Sequence, residues 1–370
     1  MVRIVVMKRC LFFLIMLACG LPGTSALGET MTGVPQASLP DLVSAVRINQ
    51  PVDFCGEPVP LASAEVRERL EKELLLILWD RPQVILWLKR STRYFPYIER
   101  LLAQNGMPED LKYIAVIESA MLSHAGSSKG AVGYWQFIKS TGRNYGLKID
   151  RNYDERRNFF ASTRAALHYL KKLHELFGSW TLAAAAYNMG EDGLQEEKTS
   201  QLVDNYYEFY LPQETQRYVF RIIAAKLIFS NPTRYGFNLK PDDYYPPIQF
   251  DRVKVNLESR TPLYLVAQAA GTHFKKIKDL NPEIRRDHLP KGRHILAVPE
   301  GAGPNFHSRF ASLVESWRQE YKMHIYIVKK GDNLSSIAER FDVALPAIMT
   351  WNDLQPDKYI HPGEKLVIYQ

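Results

Sequence analysis

From Ala64 onward, apolar residues recur at the steps of three and four that place them on one face of an α-helix. Val66, Leu70, Leu74, Leu75, Ile77 and Leu78 open the pattern, and residues 79–88 and 94–102 continue it. Pro82 and Pro96 are expected to start or break helices, because proline has no N–H to donate and its ring crowds the preceding turn. The helical period persists over residues 108–235, with loops expected at 123–130 and 142–154. Residues 162–177 put Ala165, Ala166, Tyr169, Leu170 and Leu173 on one face, and 180–187 are small and apolar, as in a buried helix. Pro212 marks the start of a last helix through Val219, Ile222, Ile223 and Leu227. The expected architecture here is all-α. Upstream, residues 27–62 are rich in Pro, Gly, Ser and Thr and read as a linker.

The pattern changes after Pro241, where an internal repeat appears. A shift of 71 residues lays Leu263 on Leu334, Val266 on Ile337, Ala267 on Ala338, Ile277 on Ile348 and Asn281 on Asn352. The same shift carries Leu289 onto Ile360, Gly292 onto Gly363 and Ile295 onto Leu366. Each copy reads as a strand, two short helices and a returning strand. In the second copy these fall at 325–328, 333–341, 345–352 and 365–368, and an amphipathic helical connector over 306–321 separates the copies.

Composition adds two constraints. With 46% hydrophobic and 24% charged residues, a 370-residue chain suits several soluble globular domains. The net charge of +7 fits an anionic partner, but it is spread without a Lys/Arg block, which argues against nucleic acid. The N-terminus carries Lys8 and Arg9, a short apolar run from Leu11 to Ala18, then Gly20, Pro22, Gly23, Ser25 and Ala26. This is the layout of a secretory signal peptide, and the run is too short for a comfortable membrane span. Two cleavage readings stand side by side: after Thr24-Ser25-Ala26, or at Cys19 within Met16-Leu17-Ala18-Cys19-Gly20, which resembles a bacterial lipobox and implies a lipid anchor. With Cys10 and Cys19 in this region, Cys55 has no internal disulfide partner and reads as structural.

Glu118 closes the apolar run Tyr113-Ile114-Ala115-Val116-Ile117. Desolvation disfavours the charged carboxylate, so its pKa is expected to rise, as a proton donor to a glycosidic oxygen requires. An exposed glutamate at a helix end is the plain alternative. Downstream come Ala125 with Ser127, Gly133-Tyr134-Trp135-Gln136 and Ala186-Tyr187-Asn188. As an ordered set with Glu118-Ser119, these resemble the goose-type-lysozyme-like lytic transglycosylases over about residues 105–235. The resemblance implies a lysozyme-like fold, with Glu118 as acid and base. It also implies that Ser127, Gln136 and Tyr187 orient the acid and the sugar, and that Gly133 and Asn188 shape the cleft. In that family the glutamate protonates the oxygen between N-acetylmuramic acid and N-acetylglucosamine, then takes the proton from the C6 hydroxyl, which closes on C1. Neither a metal nor another cofactor is needed. Ordinary glycosidases use two carboxylates. Asp150, Asp154 and Glu155 are the candidates for a second, but they lie in a loop, and Asp154–Arg156 looks structural in the family pattern. Tyr134, Trp135 and Tyr145 are candidates for stacking on sugars or for core packing. A hydrolytic muramidase and a non-catalytic wall-binding protein are the rival readings.

The second repeat, with Tyr326-Ile327-Val328, Gly331-Asp332-Asn333-Leu334, Trp351-Asn352 and Gly363, is similar to the LysM module, a βααβ fold that binds N-acetylglucosamine-containing glycans. The resemblance implies a glycan groove beside Gly331, Asp332 and the loop Asn352 to Leu354, with Asp332 also a candidate helix N-cap. The first copy has Arg260 and Thr261 in place of Gly331 and Asp332, so its sugar binding is in question, while Leu263, Val266, Ile277 and Ile295 are expected to keep its core. The expected organisation is multidomain: signal peptide 1–26, linker 27–62, N-terminal helical region 63–104, all-α lysozyme-like catalytic domain 105–240, degenerate LysM-like α+β repeat 250–301, helical connector 302–323 and LysM module 324–370. The expected partner is peptidoglycan, and the expected location is the periplasm or the outer membrane.

Overall fold

The computed structural model describes residues 41–320, 323–352, 354–355 and 359–369. The signal peptide, Cys19 and the first part of the expected linker lie outside them. From Asp41 on, the linker expectation is overturned. Asp41 caps the short helix α1 (Leu42–Val46), and β1 (Asp53–Phe54) pairs with β2 (Glu57–Pro58) in a hairpin. Ile48, Val52, Phe54, Val59 and Leu61 are buried in the same core as the helices that follow. The Arg67 guanidinium donates to the carbonyls of Ile48 and Leu61 at 3.1 and 3.0 Å. Glu57 reaches across to cap a distant helix, accepting from the Ser179 hydroxyl at 2.8 Å and the Thr181 N–H at 3.0 Å. Pro and Gly here make turns between well-spaced apolar anchors. Cys55, in that hairpin, is largely buried, and burial together with nearby carboxylates pushes its thiol well above the ordinary range.

The helical half comprises α2 (Ala64–Trp79), α3 (Arg81–Gln104), α4 (Lys112–Ser119), α5 (Lys139–Asn144), α6 (Phe159–Phe177), α7 (Trp180–Met189), α8 (Glu191–Gln201) and α9 (Gln213–Ser230). Ser63, Asp80, Asn158 and Ser179 cap four of these with their side chains. Pro82 sits in the first turn of α3 as expected. Pro96 does not break the helix: α3 runs through it, because Tyr94, Phe95 and Ile98 are all buried there and outweigh the lost backbone hydrogen bond. The expected boundary near residue 104 is absent too. One core runs from Ala45 to Phe237, and α2 lies along α9, where Arg217 holds the buried Glu73 carboxylate at 2.6 and 3.0 Å. Ala183 to Ala186 of α7 are fully buried, so this helix is the axis around which the others gather.

Beyond Pro241 follow β3 (Phe250–Leu257), β4 (Thr261–Pro262), α10 (Leu263–Ala269), α11 (Phe274–Leu280), β5 (His288–Leu289) and β6 (Gly292–Pro299), with β3 antiparallel to β6. α12 (Phe306–Glu320) is more than a connector: its Phe306, Phe310, Val314 and Trp317 belong to the core of this first module. The second module is β7 (Met323–Ile327), α13 (Leu334–Arg340), α14 (Leu345–Asn352) and β8 (Lys365–Tyr369). Asn281 donates to Ile277 O and Ala297 O and accepts from Ala297 N, clamping helix to strand. Asn352 repeats this with Ile348 and Val367. The repeat offset therefore shortens by one residue before the returning strand. Side chains alternate faces along a strand, so this slip exposes Ile295 (63%) and buries Leu296 (1%) in the place expected for it.

Candidate active site

α4 is buried along nearly its whole length, from Lys112 to Ile117. It stops at Ala120 and Met121, two consecutive residues with positive φ (52° and 58°), which turn the chain sharply just after Glu118. Ser119 fixes that corner, its hydroxyl donating to Tyr134 O at 2.7 Å. Glu118 thus stands half-buried at the C-terminal end of a helix, where the helix dipole also opposes negative charge. Tyr218 of α9 donates its hydroxyl to Glu118 Oε1 at 2.5 Å. Burial pushes the Glu118 carboxyl up to about 7, although the Tyr218 hydroxyl and the Arg221 guanidinium pull the other way. Burial and the adjacent Glu118 likewise push the Tyr187 and Tyr218 hydroxyls well above the usual phenol range, so both remain donors.

The other expected residues divide by what they touch. Tyr187 faces Glu118, and its hydroxyl donates to Trp135 O at 2.7 Å. Ser127, Gly133 and Gln136 build the floor loop, residues 125–137. The Ser127 hydroxyl accepts from Ala131 N at 3.1 Å. Gln136, at φ 47°, donates its side-chain amide to Ala125 O and Gly133 O at 3.2 and 2.8 Å. Gly133 has φ +85°, and a Cβ there would lie 1.9 Å from Arg156 O, so only glycine fits. Asn188 Oδ1 accepts from the Thr215 hydroxyl at 2.9 Å and ties α7 to α9.

The candidate second carboxylates are all engaged in their own loop. Asp154 forms a buried pair with Arg156 at 2.8 Å, and Arg156 also donates to Gly130 O and Phe137 O. Glu155 accepts from Lys148 N, and Asp150 accepts from the N–H groups of Asn152 and Tyr153. Glu214 was not foreseen; it adds slightly to the rise at Glu118, but is itself exposed and paired with Lys129 at 3.1 Å. Tyr134 and Trp135 are buried core residues, Trp135 donating to the Thr163 hydroxyl at 3.0 Å, so neither offers a face to a sugar. Tyr145 is half-buried against Tyr169 at 4.7 Å.

In the second module Gly331 has φ +90° with open space around it. Asp332 is not the helix cap; Asn333 is. Asp332 instead accepts from the Tyr326 hydroxyl at 2.6 Å and Lys329 N at 2.7 Å. The Asn352 amide is engaged in the clamp inside the module. Leu354 is half-buried against the module core.

Sequence reasoning missed Tyr218 as a site residue. The signal was present: it is a phenol within the apolar stripe Thr215, Tyr218, Val219, Ile222 of α9, a polar tip that requires a buried partner.

Three family models match the chain: the transglycosylase SLT domain over residues 95–208, the lytic transglycosylase MltD LysM-like domain over 249–314, and the LysM domain over 326–368. The middle match takes in most of α12, in keeping with its place in the first module. The chain is 35% identical over 329 residues to membrane-bound lytic murein transglycosylase D of Escherichia coli (strain K12), covering 85% of this chain and 72% of that protein. Its counterpart from Escherichia coli O6:H1 aligns equally well. Among solved structures, the 70 kDa soluble lytic transglycosylase SLT70 from Escherichia coli aligns with a TM-score of 0.35 and 16% identity, covering 49% of this chain and 31% of that one.

Proposed function

The chain belongs to the membrane-bound lytic murein transglycosylase D family, and we propose that it is a peptidoglycan lytic transglycosylase with Glu118 as its one acid and base. The observation that carries this is a carboxyl held near pKa 7 with a tyrosine on one oxygen, while the carboxylates of the 150–155 loop are tied up elsewhere. A group of that pKa is protonated often enough to give a proton and basic enough to take one back at neutral pH. Protonated Glu118 gives its proton to the oxygen linking N-acetylmuramic acid to N-acetylglucosamine, and the C1–O bond breaks. The N-acetyl group of the muramic residue steadies the positive charge at C1. Glu118, now ionised and held by the Tyr218 hydroxyl, removes the proton from the C6 hydroxyl. That oxygen bonds to C1, leaving a 1,6-anhydro end and the acid reprotonated. No water is consumed.

Tyr187 orients the site from the α7 side. Ser127, Gln136 and Gly133 hold the floor on which the sugar lies, and Asn188 keeps α7 and α9 at the right spacing. The second module grips N-acetylglucosamine-containing strands near Gly331, Asp332 and the loop to Leu354, and so raises the local substrate concentration. An envelope location, periplasmic or at the outer membrane, follows from this substrate. No helix among the described residues is long and apolar enough to cross a membrane, and any lipid on Cys19 lies outside them.

Digestion of purified sacculi tests the reading. The wild type should release muropeptides with anhydro ends, lighter by one water than lysozyme products, and Glu118→Gln should release none. Hydrated reducing ends would make the enzyme a muramidase, and an active Glu118→Gln would remove the acid from the scheme.

A further inference from the structure

The first LysM-like module lies against the segment 150–157 of the helical half. Asp154 N donates to Glu283 O and Arg285 N to Asn152 O, both at 2.8 Å. An isolated β-bridge pairs Tyr153 with Ile284, and the Arg285 guanidinium donates to Asp150 O at 3.0 Å. The Tyr153 hydroxyl meets His294 Nδ1 at 2.7 Å, with the two rings stacked. Beside this seam Phe160 of α6 meets Phe250 of β3, centroids 5.6 Å apart.

The segment so gripped is the support of the active-site floor. Its Arg156 donates to Gly130 O at 3.0 Å and Phe137 O at 3.1 Å, near the middle and at the end of the floor loop. The Arg156 carbonyl fills the space beside Gly133. From that loop, contacts reach the neighbours of the acid: Tyr134 O holds Ser119, and Trp135 O holds Tyr187. A continuous series of contacts therefore runs from the first module to Ser119, the chain neighbour of Glu118, and to Tyr187.

We propose that the first LysM-like module is a built-in brace of the active site, with Tyr153 and Arg285 as positioning residues that fix segment 150–157 and, through Arg156, the floor of the cleft. The proposal rests on the assignment of Glu118 as the acid. It gives the module a task that needs no sugar binding, in keeping with Arg260 and Thr261 standing where the second module has Gly331 and Asp332.

The test uses the full chain carrying Tyr153→Ala with Arg285→Ala. Hydrogen exchange at the Val132 and Gly133 amides, which donate to Phe137 O and Ala125 O, should quicken about tenfold while α9 amides stay protected. On soluble glycans too short to reach the second module, kcat should fall about tenfold with KM within about twofold, since misplacement harms the transition state more than ground-state binding. Sedimentation with sacculi should not change. Tyr153→Phe, which keeps the ring and the β-bridge, should recover most of kcat. Unchanged exchange and kcat, or a loss confined to KM or sedimentation, would overturn the brace. If the double variant unfolds, Arg285→Ala alone reads the same amides. Exchange reports on the floor whatever the reaction, so a fully active Glu118→Gln would defeat the acid assignment and leave this question separately answered.

Discussion

Glu118 is held in a state that opposes its own charge. Its folded pKa of about 7 lies above the ordinary 4.5, so the folded protein binds the proton more tightly than the unfolded chain does. The stability linked to that proton is fully present below about pH 4.5 and is lost as pH rises through about 7. Glu118→Gln escapes this loss. Because one pKa unit is worth about 1.4 kcal/mol, the variant should gain on the order of 3 kcal/mol well above pH 7 and almost nothing at pH 4. Calorimetry at the two pH values checks this. The same titration sets the alkaline limb of activity, which should fall as pH passes about 7 because the acid form is consumed. Tyr218 steadies the ionised form, so Tyr218→Phe should raise the Glu118 pKa further and carry that limb to higher pH. It should also lower kcat by about tenfold or more, as the base step loses its support. A limb that stays in place in the pH profile would mean that the tyrosine only packs.

At the scale of elements, the paired asparagine clamps show how one repeat is built twice. Asn352→Ala breaks two hydrogen bonds between α14 and β8 and one within α14, and should destabilise the second module by about 1–3 kcal/mol. Its thermal melt should drop, and sacculus sedimentation should weaken only at temperatures where the module opens. Weakening at low temperature, with the fold intact, would return Asn352 to the glycan groove. Much of this architecture was legible in the sequence. Long helices such as α6 and α9 declare themselves by period, whereas Glu118 and Tyr187, on the short helices α4 and α7, were readable from the ordered motifs around them. What escaped had physical reasons. The hairpin at 53–58 buries only Phe54, so it leaves no periodic trace. Tertiary packing overrode Pro96. A one-residue slip was enough to exchange Ile295 for Leu296.

On the scale of the whole molecule, the catalytic half and the two modules are joined side by side. Trp317 at the end of α12 packs on Tyr369 of β8 with centroids 5.2 Å apart, and Trp351 meets the same ring at 5.5 Å. Removal of residues 326–370 should therefore do two things. Sedimentation with sacculi should weaken by about tenfold or more as the tether is lost, while short soluble glycans are still turned over. The remaining chain should also melt a few degrees lower, about 1 kcal/mol, because Trp317 loses its cover. Equal sedimentation of the two forms would remove the tether from the scheme. With a net charge of +7, the attachment should loosen as salt is added.

Ala120, Met121 and Gln136 all adopt backbone angles that side chains disfavour, the first two just after the acid and the third in the floor loop. Such conformations cost about 1–3 kcal/mol each and persist only because their surroundings enforce them. A population of variants selected in the laboratory for heat tolerance alone would thus drift first toward glycine at these positions and glutamine at 118. The hardiest descendants would be those that had stopped cutting.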